Sequence, residues 1–186
     1  MTRSFTAVLD ACVLIPYPLF DVLLRAADAG LYRPVWSADI LDEVERNIVA
    51  KLGVEPERAS RRIGHMKAAF PDASVDGYGQ LIPAMTNHQK DRHVLAAAVR
   101  ANASLIVTAN MKDFPDAALS PFSITATTPD DFLLDLLDLS EVKILNSLDS
   151  MLEQNSSPPN SVAELAHQLE GTAPKFTSVV LGLLSA

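Results

Sequence analysis

A single cysteine, Cys12, stands in 186 residues, so no internal disulfide can form and nothing asks for an oxidising compartment. Basic residues are also scarce. The 15 Lys and Arg stand against 23 Asp and Glu, a net charge of −8, so the positive footprint of a typical nucleic-acid binder is missing. No apolar run approaches the roughly 20 residues that a membrane helix needs. The opening stretch, MTRSFTAVLDACVLIPYPLF, is broken by Asp10 and two prolines and lacks the layout of a secretory signal. The expectation is a cytoplasmic protein with no membrane contact. No glycine-rich phosphate loop or Ser-His-Asp grouping stands out. The four histidines, His65, His88, His93 and His167, are scattered without zinc-like spacing, so zinc is not expected.

What is present is a core. Hydrophobic residues make up 48% of the chain and charged residues 20%, the balance of a globular fold of one domain or one domain with a small appendage. Phe5–Leu9 reads as a short buried strand ending at Asp10. A helix follows over Phe20–Ala29, stopped by Gly30, and Tyr32–Trp36 reads as a second strand. Ser37 is placed to cap a helix over Ala38–Leu52, with Ile40, Leu41, Val44, Ile48 and Leu52 on one stripe and Gly53 as its end. Glu55–Phe70 reads as a more polar helix, and Pro71–Asn87 as loop with a short strand. Asp91–Ala101 is helical, Ser104–Thr108 a buried strand, Asn110–Ala118 a loop, and Phe122–Thr125 a last short strand.

That order predicts an α/β sandwich of three layers with a central, mainly parallel sheet over residues 1–128. From Thr128 the pattern becomes all-helical. Thr128-Pro129-Asp130-Asp131 starts a helix, and Ser161-Val-Ala-Glu164 is a capping box. Leu145, Leu148 and Leu152 form one stripe; Val162, Leu165, Ala166 and Leu169 a second; Phe176, Val179, Val180 and Leu183 a third. Residues 129–186 are read as a small helical extension, with Asn155–Asn160 as a turn or linker.

Four acids attract interest for separate reasons. Asp10 lies past a strand end, where ligands of parallel sheets collect, and reads as a metal ligand, a nucleophile or a turn acid. Glu43 borders the apolar stripe of its helix, but Glu45 borders the opposite edge, and periodicity leaves the two as rivals. Asp91 shares the inward stripe with Val94, Leu95 and Ala98, while His93 and Arg100 face outward. A charged carboxylate on such a face is costly unless it is paired, holds a metal or serves the helix dipole. Asp113 follows the buried strand in Thr108-Ala-Asn110-Met-Lys-Asp113-Phe, with Thr108 and Asn110 as further oxygen donors. Several acids holding divalent cations would reverse the charge argument, because a loaded site is locally positive.

The ordered set Asp10, Glu43, Asp91 and Thr108-x-Asn110-x-x-Asp113-Phe114 resembles the PIN-domain family, in particular the toxin half of bacterial VapBC-type toxin–antitoxin pairs. The resemblance covers residues 5 to about 128. It implies a ribonuclease in which Asp10, Asp91 and Asp113 hold Mg²⁺ or Mn²⁺, Glu43 binds metal or orients water, and RNA phosphodiester bonds are hydrolysed by in-line attack. Mg²⁺ and Mn²⁺ also suit an all-carboxylate set. Where many relatives carry a second loop Asp, this chain has Asn110. Basic residues positioned to draw RNA are Arg46, Lys90, Arg92 and Lys112. The resemblance further implies a homodimer and a cognate antitoxin protein. Two other readings compete. One is a phosphatase with Asp10 as nucleophile, against which Cys12 stands where such enzymes have a second Asp. The other is a silent module that keeps the fold without chemistry.

Overall fold

The computed structural model describes residues 5–153 and 159–185. Most of the expected linker at Asn155–Asn160 lies outside them. Five strands form one sheet: β1 (Thr6–Leu9), β2 (Arg33–Ser37), β3 (Ser74–Val75), β4 (Leu105–Val107) and β5 (Thr125–Thr127). Their order is β3-β2-β1-β4-β5, and every pairing is parallel. Helices lie on both sides of the sheet, which is the expected α/β sandwich. Ala7, Val8, Leu9, Val35, Trp36, Ile106 and Val107 are buried; burying each larger aliphatic side chain contributes about 1.5–3 kcal/mol relative to leaving it exposed.

The intervening helices are α1 (Ala11–Leu14), α2 (Leu19–Asp28), α3 (Ala38–Leu52), α4 (Pro56–Ala69), α5 (Arg92–Arg100) and α6 (Asp116–Leu119). Ser37 Oγ accepts from the Ile40 amide and caps α3, as expected. Gly53 ends that helix at φ +64°, a left-handed position that glycine takes without strain. Leu52 leaves the predicted stripe and is exposed, being the last residue before that turn. The last strand falls later than Phe122–Thr125, because Ser120–Phe122 forms a 3-10 turn closed by Ser123 at φ +56°.

The chain divides into two compact units. One comprises residues 1–15 and 33–127, the other 16–32 and 128–186. The second unit holds α2 together with α7 (Pro129–Leu139), α8 (Glu141–Glu153), α9 (Val162–Leu169) and α10 (Pro174–Leu184). Within it Tyr32 packs edge-on to Phe132, the ring centroids 4.9 Å apart, and its hydroxyl donates to the Leu23 carbonyl. Arg25 on α2 donates to Ser150 Oγ on α8 at 2.9 Å. Thr128 and Ser161 cap α7 and α9 as anticipated.

Two of the three expected stripes are displaced by about one position. On α8 the buried set is Ile144, Ser147, Leu148 and Met151, with Leu145 and Leu152 on its margin. On α10 it is Phe176, Thr177 and Val180, while Val179 and Leu183 are exposed. A helix face about 100° wide admits either neighbour, and packing chooses.

Candidate metal centre

In the sheet, β1 sits where the strand order reverses: β2 follows on one side and β4 on the other. The crevice beyond the carboxyl ends of such a strand pair is the general ligand site of parallel sheets. Asp10 and Thr108 occupy it, one residue past β1 and one past β4. The register Leu9↔Val107 and the bond from the Asp10 amide to the Val107 carbonyl set them side by side.

Asp10 is held from several directions. Its Oδ1 accepts from the Ala11 amide at 2.7 Å and so caps α1. Its Oδ2 accepts from Thr108 Oγ1 at 2.7 Å and from the Cys12 thiol at 3.2 Å. At the far end of α1, Arg62 of α4 donates to the carbonyls of Leu14 and Ile15. Thr108 Oγ1 in turn accepts from the Asn110 amide at 3.0 Å. Burial, assisted by Asp10, pushes the Cys12 thiol up to about 12. It therefore stays protonated, and a protonated thiol is neither a nucleophile nor a soft metal ligand.

Asp91 closes a 3-10 turn over Gln89–Asp91 and directly precedes α5. It is 6% exposed, and Asp113, in the 3-10 turn Met111–Asp113, is 5% exposed. Burial pushes the Asp91 carboxyl up to about 6; Lys90 opposes the shift, while Asp10, Asp113 and Glu43 add to it. Crowding among the acids thus helps raise Asp91, but desolvation is the larger cause. The charges of the other three sequence-selected acids, Asp10, Asp113 and Glu43, are all felt at Asp91. Glu43, on α3, is the most open, its side chain 39% exposed. Glu43 acts electrostatically on Asp91, and Glu45 lines the same groove as both.

Two buried carboxylate oxygens, Asp91 Oδ2 and Asp113 Oδ2, accept no hydrogen bond from any described residue. Lys90 Nζ stands 3.8 Å from the first and 3.4 Å from the second, close enough for ion pairing without hydrogen-bond geometry. A buried carboxylate oxygen without a hydrogen bond is expensive unless a cation satisfies it, and Lys90 is the cation beside these two. Carboxylate oxygens are the donors a hard divalent ion takes.

Two histidines change position relative to expectation. His93 does not face outward: its side chain is 16% exposed and Nε2 lies 4.0 Å from Glu43 Oε2. His88 leaves the scattered set altogether. Its ring nitrogen, Asp91 and Asp113 offer donor atoms within 4.8 Å of one another. No spacing rule would have joined it to them, because the 3-10 turn that does so has no periodic signature.

A groove of about 1230 Å³ opens beside Glu43, Lys90, Asp91 and His93, with Arg46 and Asn47 on its wall. Asp39, Asp42 and Glu45 also line it, making it more acidic than a preformed phosphate channel. Of the four basic candidates, Lys90 and Arg46 border it. Arg92 instead donates to the Asn87 carbonyl, and Lys112 is exposed in the turn that carries Asp113. Asn110 opens that turn, its carbonyl accepting from the Asp113 amide at 2.9 Å.

The chain matches the PIN-domain model over residues 6–112 and the VapC50 C-terminal domain model over residues 129–182. It is 50% identical over 102 residues to "Putative ribonuclease VapC50" of Mycobacterium tuberculosis (strain ATCC 25618 / H37Rv). That match takes in 55% of this chain and 60% of the relative, less than two thirds of the latter's length. No solved structure matches it significantly. With the PIN model covering more than half its length and the site lying at the sheet's reversal point, the chain belongs to the PIN-domain family.

Proposed function

We propose that the protein is a divalent-metal-dependent ribonuclease acting as the toxin of a toxin–antitoxin pair. The observation that carries this reading is the pair of buried carboxylate oxygens on Asp91 and Asp113 that no hydrogen bond satisfies, beside the rigidly held Asp10. In this reading Asp10, Asp91 and Asp113 hold Mg²⁺ or Mn²⁺, and Glu43, the exposed member, holds metal or positions water. A bound divalent cation supplies Lewis acidity, making water more acidic and offsetting charge on the scissile phosphate.

The chain's own groups do the rest. Thr108 fixes the Asp10 carboxylate through its hydroxyl and Asn110 orders the loop that presents Asp113. Burial keeps bulk water from screening the charges around Asp91, which strengthens every electrostatic contact there. Lys90, at the mouth, offsets the acids and offers its ammonium to an incoming phosphate. Arg46, Arg92 and Lys112 are weaker candidates for the same task.

Residues 1–128 would carry the chemistry and 129–186 the extension. A cytoplasmic homodimer, an RNA substrate and a cognate antitoxin complete the proposal. The phosphatase alternative gains nothing from Cys12, whose protonated thiol is no substitute for a second carboxylate.

The test is RNA cleavage by antitoxin-free protein with Mg²⁺ or Mn²⁺, comparing wild type with Asp10→Asn and Asp91→Asn. Metal-dependent cleavage lost in both variants supports the reading. Folded wild-type protein that cuts no RNA with either ion overturns it.

A further inference from the structure

We infer that His88 is a nitrogen ligand of the metal centre and gives it a preference for a transition ion of the manganese class over magnesium. This inference rests on the proposed metal-dependent reading of the same site. His88 Nδ1 lies 3.7 Å from Asp91 Oδ2, too long for a hydrogen bond, and all three donor atoms of His88, Asp91 and Asp113 fall within 4.8 Å of one another. That spacing is a small side-chain adjustment from what one ion's ligands hold, each at about 2.1 Å from it. The two acids are more than nine-tenths buried, and their Oδ2 atoms, aimed into the cluster, accept no hydrogen bond.

The backbone holds His88 beside both acids. The His88 amide donates to the Asp113 carbonyl at 3.2 Å, and the Asp91 amide donates to the His88 carbonyl at 2.9 Å. His88 is therefore stitched to both acids through the main chain, while its side chain is left 54% exposed.

Imidazole suits first-row transition ions, whereas magnesium takes oxygen and keeps its waters. A mixed set of one imidazole and two carboxylates therefore separates the two ions in a way that carboxylates alone do not. Lys90 is the rival cation at the same oxygens, and an entering ion displaces its ammonium.

The test is calorimetric titration of Mn²⁺ and of Mg²⁺ into wild type, His88→Gln and Asp91→Asn, with spin-echo spectroscopy of bound Mn²⁺. The inference expects wild type to bind Mn²⁺ more tightly than Mg²⁺ and to show modulation from a coupled nitrogen. His88→Gln should lose about tenfold in Mn²⁺ affinity, lose the nitrogen signal, and hold Mg²⁺ nearly unchanged; retained Mg²⁺ binding is also the evidence that the variant is folded. An unchanged Mn²⁺ to Mg²⁺ ratio with no nitrogen signal, while Asp91→Asn loses both ions, overturns the role of His88 and leaves the metal reading standing. Wild type binding neither ion overturns both.

Discussion

Thr108 Oγ1 donates a 2.7 Å hydrogen bond to Asp10 Oδ2 across 98 positions of sequence. It is a fully buried hydroxyl serving a carboxylate at the carboxyl end of the neighbouring strand. Its removal tests whether orientation of Asp10 matters apart from its charge. Thr108→Val keeps the shape and deletes the donor, so ion affinity should fall about tenfold or more. Stability should fall by about 1–3 kcal/mol. Thr108→Ser should restore most of both. Calorimetry and urea unfolding report the two effects separately, and wild-type ion affinity in Thr108→Val would remove Thr108 from the site.

The pH dependence of the ion-free protein follows from Asp91, raised from an ordinary 3.8 to about 6 mainly by burial. Between those values the folded chain keeps a proton that the unfolded chain releases. Its contribution to stability is thus fully present below the unfolded value, is lost as pH rises through about 6, and is flat above. Asp91→Asn should abolish that slope. Unfolding in chelator across this window measures it; parallel curves for the two proteins would contradict the assignment.

Ion binding must show the opposite trend, because the ion needs the charged carboxylate. Thermal stabilisation by Mn²⁺ should be strong at neutral pH and fade as pH falls through about 6. Stabilisation that persists unchanged in acid would exclude Asp91 as a ligand.

Lys90 is a tethered cation competing for the same two oxygens. Above neutral pH, Lys90→Met should tighten ion binding by a factor within about fivefold, the scale of an exposed ion pair. The Asp91 carboxyl should titrate higher still, since Lys90 is the main influence holding it down. Calorimetry with carbon NMR of the carboxyl checks both. Weaker ion binding in the variant would make Lys90 a supporting group instead of a competitor.

In the helical unit, Asp130 is buried and accepts from the Phe176 amide at 2.9 Å and the Lys175 amide at 3.2 Å, capping the first turn of α10 from another helix. Asp130→Ala should cost about 1–2 kcal/mol and raise amide exchange along α10 first. Uniform exchange across the unit would mean that α10 opens only with everything else.

The acids were legible because each breaks a local rule: Asp10 ends an apolar strand, and Asp91 sits on an inward stripe where charge is costly. The Thr108-x-Asn110-x-x-Asp113 loop was legible as a string. Glu43 was not separable from Glu45, since both edges of a helical stripe look alike until a partner lies beside one. His88 gave no signal because a turn of three residues has no period. The misplaced edges of the α8 and α10 stripes have the same origin, a choice among adjacent positions made by packing.

The grouping of α2 with the helices after Thr128 bears on how this molecule can be taken apart. The second unit begins about a hundred residues before the VapC50 C-terminal match does, with a helix threaded between the first two strands of the sheet. Cutting the chain at 128 would strip α2, whose Leu19, Val22, Leu23 and Ala26 are buried in the intact chain, of the helices it groups with. Shuffling the C-terminal region between relatives would meet the same obstacle unless α2 travelled with it. The two units are interleaved along the chain, so neither can be inherited, trimmed or transplanted by a single break.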